Sequence, residues 1–258
     1  MNYLDYLRTD KFPHFWCSGC GNGIVLCAIA RAFEELDLTL ENTVVVTGIG
    51  CWGKADDYVR TNSFHGTHGR ALAFATGIKL ANPSLNVVVL MGDGDGITIG
   101  GNHFIHAARR NVDVTAILVN NFNYGMTGGQ YSGTTPEERI TTTSRYGHIE
   151  EGFDICAVAK AAGARYVARA STENPQQLKN LIRDGIKKQG FACIEAISPC
   201  PTHFGRNNGM RSPAALMRWV NENSVTPAQA VAMSEEELAG KLVMGLICDR
   251  PGEAYSTK

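Results

Sequence analysis

Five short apolar runs constrain this chain more than any other feature. They are TVVVTGIG (43–50), NVVVLMGDGDG (86–96), DVTAILVNN (113–121), RYVARA (165–170) and FACIEAI (191–197). They do not alternate apolar with polar, so they suit strands covered on both faces of a parallel sheet. Between them lie segments with apolar residues at helical spacing: 22–36, 69–81, 99–110 and 174–188. The second stops before Asn82-Pro83, the third carries Arg109-Arg110 in its last turn, and the fourth opens on Asn174-Pro175, a cap followed by a first-turn proline. Strand–helix alternation of this kind predicts an α/β fold with a doubly wound, mostly parallel sheet.

At 258 residues the chain can bury one large core or slightly more. We expect a main domain over 1–205 and a C-terminal extension over 206–258, packed on that domain or on a partner. Its helices are expected near 214–223 and 235–247, the second opened by a Ser234–Glu237 capping box. Residues 122–150 read as a long polar loop rich in Gly, Thr and Tyr, and loops of that length are usually functional.

A formal net charge of −1 gives no electrostatic case for nucleic acid or an anionic membrane. No apolar run approaches a membrane span, and the N-terminus does not read as a secretion signal. A reducing, cytoplasmic setting is therefore expected. Disulfides are then unexpected, and clustered cysteines point to metal or redox work.

The strongest local signal is MGDGDG (91–96), which follows a strand and precedes a helix. Ligands of open α/β sheets bind at the carboxyl ends of strands, and helix N-termini favour anions. Gly92 and Gly94 let backbone approach a phosphate closely. Asp93 then puts a negative charge beside that phosphate, which makes sense if a divalent cation such as Mg²⁺ bridges them. The next strand ends in Asn120-Asn121, one strand–helix–strand unit later, and Asn123 follows. A carboxylate, an amide oxygen and a main-chain carbonyl would converge there.

FWCSGCGNG (15–23) is ambiguous by itself. Cys17 and Cys20 suit a redox dithiol, half a zinc site, half an iron–sulfur site, or two bystander thiols. No second CxxC supports zinc, and the pair precedes the first strand, which fits a thioredoxin-like dithiol poorly.

GDG followed by Asn121 resembles the thiamine-diphosphate fingerprint. Together with GGNHFIHAARRN (100–111), FHGTHGRALAFATGIKLANP (64–83), NNFNYGMTGGQYSGTTP (120–136) and WCSGCG (16–21), the likeness sharpens. Over roughly residues 12–205 the chain resembles the β subunit of 2-oxoacid:ferredoxin oxidoreductases. The resemblance implies a domain of the thiamine-diphosphate (pyrophosphate-binding) type. It implies thiamine diphosphate, Mg²⁺ held by Asp93, Asn121 and the Asn123 carbonyl, and one [4Fe-4S] cluster on Cys17, Cys20, Cys51 and Cys200. Cofactor contacts would come from Ile49, Gly50, Cys51, Trp52, His65, Gly92, Asp93, Gly94, Asp95, Asn121, Asn123, Gly125 and Met126. Lys54 and His65 are the candidates for polar contacts near the reaction. Cys27, Cys156, Cys193 and Cys248 read as core thiols.

The activity implied is oxidative decarboxylation of a 2-oxoacid, with coenzyme A taking the acyl group and electrons passing through the cluster to ferredoxin. The expected partners are an α subunit and small γ and ferredoxin-like δ subunits. The base that activates the cofactor would lie on the partner, so the chain alone is expected to be inactive. Some broad-specificity relatives carry TKGQ where this chain has TGGQ, with Gly128 in place of lysine. That favours 2-oxoglutarate, with 2-oxoisovalerate or pyruvate as alternatives. A non-redox thiamine-dependent decarboxylase subunit is the competing reading.

Overall fold

The computed structural model describes residues 1–255. In chain order its elements begin with α1 (Asn22–Glu35), β1 (Thr43–Thr47), β2 (Asn62–His65), α2 (Ala71–Ala81) and β3 (Asn86–Gly92). Then come α3 (Gly101–Arg110), β4 (Thr115–Asn120), α4 (Ile155–Ala162), β5 (Tyr166–Ser171), α5 (Pro175–Lys187) and β6 (Ala192–Ile197). The remainder is α6 (Pro213–Glu222), β7 (Ser224–Val225), α7 (Pro227–Ala232), α8 (Glu235–Leu238), β8 (Leu242–Val243) and β9 (Gly245–Asp249). One seven-stranded sheet runs in the order β2-β1-β3-β4-β6-β5-β9. Every pairing in it is parallel except β5 with β9.

Both faces of the sheet are covered, which explains the unbroken apolar runs. Along β3, Val88 and Leu90 face a core shared with Leu26, Ile29 and Phe33 of α1 and Leu178 and Ile182 of α5. Val87, Val89 and Met91 face the opposite core, with Leu72 of α2, Phe104 of α3 and Ile155 of α4. Strand side chains alternate sides, so apolar residues at every position are what a two-sided burial demands. Each such Leu, Ile or Phe contributes about 1.5–3 kcal/mol of burial.

Helix ends follow their local chemistry. The Asn174 side chain accepts from the Gln177 N–H, with Pro175 at the first helical position. Asp154 caps α4 in the same way, and α4 stops at Gly163, whose φ is 109°. Among the described residues, no helix is long and apolar enough to cross a membrane.

The extension departs from expectation. The capping box at Ser234 and Glu237 forms, but α8 stops at Leu238 and no helix runs to 247. Leu242–Val243 and Gly245–Asp249 are strands instead. The chain turns at Gly240 (φ 71°) and Gly245 (φ 120°), and β9 pairs antiparallel along the free edge of β5. An open sheet edge with unpaired backbone groups outweighs helical propensity here. A third apolar cluster, Phe122, Ile197, Phe204, Leu216 and Val220, seats α6 against the carboxyl ends of β4 and β6.

Candidate functional site

β3 ends at Gly92, and Asp93 follows directly, 1% exposed. Its Oδ2 accepts two hydroxyls, from Ser132 at 2.5 Å and Thr134 at 2.6 Å. Its Oδ1 accepts the Asn121 N–H at 3.3 Å. Burial pushes the carboxyl upward in pKa, and these donors pull it back down. β4 ends at Asn120, and Phe122 takes φ 63°, turning the chain across the top of the sheet. Asn121 Oδ1 accepts the Asn123 N–H at 3.1 Å. The Asn123 side chain is 3% exposed, and both its Oδ1 and Nδ2 are buried without a partner. Leaving a buried polar group unpaired costs about 1–3 kcal/mol, so this amide marks a place where a ligand belongs.

Asp95 is the second buried carboxylate. Its Oδ1 accepts from His68 Nδ1 at 2.6 Å, the Gly69 N–H at 2.7 Å and the Ile49 N–H at 3.3 Å. Burial again pushes its pKa up, opposed by these partners. Asp95 therefore ties the turns after β1 and β2 to the turn after β3. It needs Gly48 to do so: a Cβ on Gly48 would lie 1.9 Å from Asp95 Oδ2. We expect Gly48→Ala to destabilise the fold by about 1–3 kcal/mol through overpacking. It should weaken cofactor binding in the same step. A thermal melt with and without thiamine diphosphate checks this, and an unchanged midpoint and affinity would refute it.

These strand ends line an open cleft. One wall holds Ile49, Gly50, Cys51 and Trp52; the floor holds Gly92, Asp93, Gly94 and Asp95. The other wall holds Asn121, Asn123, Gly125 and Met126. A Cβ on Gly50 or Gly92 would meet nothing within 4 Å, so both glycines keep the cleft open.

Two expected contacts are not in this lining. His65, on β2, bonds instead with Thr47 Oγ1 (3.0 Å) and Asp56 Oδ2 (3.1 Å). Lys54 Nζ pairs with Asp57 at 2.6 Å, both side chains about 40% exposed. The histidine in the cleft is His68, three residues on, in the turn after β2. Tyr124 and Thr127 also line it unforeseen. Tyr124 donates to the Gly94 carbonyl at 3.1 Å and lies edge-on to His68. The long loop that follows is held to the site by Ser132 and Thr134, and by Gly133 N–H on Thr98 Oγ1 at 2.9 Å.

Four cysteines gather beside the cleft. Cys20 N–H closes a turn on the Cys17 carbonyl at 3.0 Å, and the Gly21 N–H bonds Ser198 Oγ at 3.1 Å, beyond β6. Trp16 Nε1 donates to the Cys51 carbonyl at 2.6 Å. The Cys200 N–H donates to the Asn121 carbonyl at 3.2 Å. Burial pushes the Cys20 thiol up to about 11, with the charges of Cys200 and Cys17 adding to it. Cys51 rises to about 12, through burial and then the charges of Cys20, Cys200 and Cys17. Holding Cys20 and Cys51 as thiolates there would need a cationic group to offset that cost.

A single zinc ion would draw its ligands together, with Zn–S near ~2.3 Å. Among the described residues, the only three or more ligand atoms all within 4.8 Å of one another belong to Asp154, Cys156 and Glu195. A guanidinium already fills that place: Arg169 pairs with Glu195 at 2.7 Å and Asp154 at 2.5 Å.

The family model for the thiamine pyrophosphate enzyme C-terminal TPP-binding domain matches residues 48–196. The chain is 52% identical over 249 residues to the 2-oxoglutarate synthase subunit KorB of Methanothermobacter marburgensis, covering 96% of this chain and 87% of that one. It belongs to the 2-oxoacid:ferredoxin oxidoreductase β-subunit family. The KorB subunit of Methanocaldococcus jannaschii is 53% identical over 95% of this chain and 91% of its own length. A solved 2-oxoglutarate:ferredoxin oxidoreductase from Magnetococcus marinus, with 2-oxoglutarate, coenzyme A and succinyl-CoA bound, superposes with TM-score 0.87 at 32% identity. The match covers 99% of this chain and 87% of that one.

The family membership makes this a thiamine-diphosphate-binding domain and a subunit of a larger oxidoreductase. The matched segment takes in the whole cleft. Of the four gathered cysteines it includes only Cys51. The residues fit the cofactor: the orphaned Asn123 amide and the unpartnered Asp95 Oδ2 both sit at the cleft.

Proposed function

We propose that this chain is the β subunit of an enzyme that oxidatively decarboxylates 2-oxoglutarate to succinyl-CoA and carbon dioxide, with coenzyme A and ferredoxin. Cys51 carries the reading, because one residue both lines the cofactor cleft and stands among the four cysteines. Electron transfer from a cofactor to a cluster needs such adjacency.

Bound in the cleft, thiamine diphosphate supplies the carbon nucleophile and electron sink that decarboxylation requires. The chain's own residues bind and orient. Asp93, Asn121 and the Asn123 carbonyl form an all-oxygen donor set suited to Mg²⁺. The Gly94–Asp95 backbone and the Gly125–Met126 turn would contact the diphosphate. His68, held at Nδ1 by Asp95, lines the cleft. Cys17, Cys20, Cys51 and Cys200 would carry one [4Fe-4S] cluster. An α subunit would complete the site and supply the cofactor-activating base, with small γ and δ subunits and ferredoxin as electron partners. The relatives named for 2-oxoglutarate, and the absence of lysine at Gly128, support that substrate over 2-oxoisovalerate or pyruvate.

The test is anaerobic purification with co-expressed partner subunits. Thiamine, magnesium and iron are measured beside coenzyme A-dependent viologen reduction by a panel of 2-oxoacids. We expect 2-oxoglutarate to be the preferred substrate. Cofactor-loaded protein inactive on every oxoacid would overturn the reaction; an active, iron-free complex would establish the non-redox alternative.

A further inference from the structure

Arg169 and Glu195 are charged residues facing each other on two strands, β5 and β6, that are buried along their whole length. They are register partners on β5 and β6, 2% and 1% exposed. A buried ion pair adds little net stability over apolar residues of the same size, so its presence points elsewhere. Its contacts lead toward the cleft. Glu195 Oε1 accepts from Asn120 Nδ2 at 2.8 Å. Asn120 Oδ1 accepts the Phe122 N–H at 3.1 Å and faces Thr134 Oγ1 at 3.1 Å. The Thr134 hydroxyl has one proton and three oxygen neighbours, Asp93 Oδ2, Asn120 Oδ1 and, at 3.0 Å, the Ser132 hydroxyl, whose own proton goes to Asp93. It is shared as a three-centre bond, the shorter arm on Asp93 at 2.6 Å. At its other end Arg169 reaches Asp154, where the long loop ends, and the Val243 carbonyl at 3.3 Å.

We infer that Glu195, seated by Arg169, is a positioning residue that acts through Asn120 and Thr134 to fix the Asp93 carboxylate for its divalent cation. The inference rests on the proposed role of Asp93 as a metal ligand. Glu195 cannot reach the metal itself. It sets the amide orientation of Asn120, which sets where the Thr134 hydroxyl stands, which sets one oxygen of Asp93. The far contacts anchor the same chain to the loop and to the C-terminal segment, so the metal carboxylate is braced against three parts of the fold.

The test is Mn²⁺ titration followed by electron paramagnetic resonance. It uses the purified multi-subunit complex, stripped of metal and supplied with thiamine diphosphate. Outer ligands of this kind are typically worth about 10–100-fold in metal affinity. Thr134→Val should weaken Mn²⁺ binding about tenfold, within that range, and Thr134→Ser, which keeps the hydroxyl, should restore it. Glu195→Gln should weaken it in the wild-type background. In the Thr134→Val background it should add less than about twofold, because both changes act on one path. Asn120→Leu, of similar shape, should behave like Glu195→Gln and serves if that variant does not fold. If Glu195→Gln and Asn120→Leu leave Mn²⁺ affinity within about twofold of wild type, or lower only the thermal midpoint, the inference is overturned. If Asp93→Asn also leaves binding intact, the metal assignment itself has failed.

Discussion

Asp93→Asn is expected to abolish 2-oxoacid turnover by the assembled complex while leaving the subunit as stable as before, or more so. The two halves of that result have one cause. Asp93 is buried, and burial raises its carboxyl pKa despite two hydroxyls and an amide N–H. Holding a carboxylate there is unfavourable for the empty protein. An asparagine removes the charge and keeps one acceptor oxygen for the Ser132 and Thr134 hydroxyls, giving up only the longest bond, from the Asn121 N–H at 3.3 Å, so unfolding without cofactor should come no earlier. The charge is needed only when a cation and a diphosphate arrive. Removing a direct carboxylate ligand should exceed the effect of an outer ligand, so Mn²⁺ affinity should fall by more than about 100-fold. Thiamine diphosphate retention should fall with it. Calorimetry of the cofactor-free protein beside Mn²⁺ titration separates the two. A variant that binds Mn²⁺ within about threefold of wild type would remove Asp93 from the metal site.

The sheet was legible because two-sided burial leaves a strong mark. Val87 to Met91 are apolar at every position, and only a strand covered on both faces asks for that. β2 left no such mark. Its sequence, Asn62-Ser63-Phe64-His65, is exposed along its length at the sheet edge. β2 offers no apolar run from which the turn after it can be placed, and it is this turn that carries His68 into the cleft lining. β9 was hidden for a different reason: its pairing depends on an open edge of β5, some 80 residues away in sequence, and no local pattern encodes that. That Asp93, Asn121 and Asn123 lie together at the strand ends is legible because they closely follow the apolar runs of β3 and β4. Ser132 and Thr134 stand in a loop with no periodicity, and only the fold reveals that their hydroxyls meet Asp93.

Cys20→Ser should remove the proposed [4Fe-4S] cluster and leave the cofactor cleft intact. Four thiolates are needed for a [4Fe-4S] cluster, and a serine hydroxyl is a poor substitute for a soft ligand. Iron should fall from about four per chain to near zero, with loss of the brown visible absorbance and of viologen reduction. Cys20 lies before the matched thiamine domain and outside the cleft lining, so thiamine diphosphate should still bind. Cys51→Ser should differ. Cys51 lines the cleft, and its carbonyl is gripped by Trp16, so cofactor affinity should shift together with iron content. Cys27→Ser is the control: that thiol sits within α1, and the charge it feels is Arg31, with no other cysteine contributing. The pattern of three variants tests whether one residue joins two cofactors. Full iron content in Cys20→Ser would dissolve the four-cysteine site. Loss of thiamine diphosphate in Cys20→Ser would mean that the N-terminal segment, docked through Gly21 on Ser198, braces the cleft as well as the cluster.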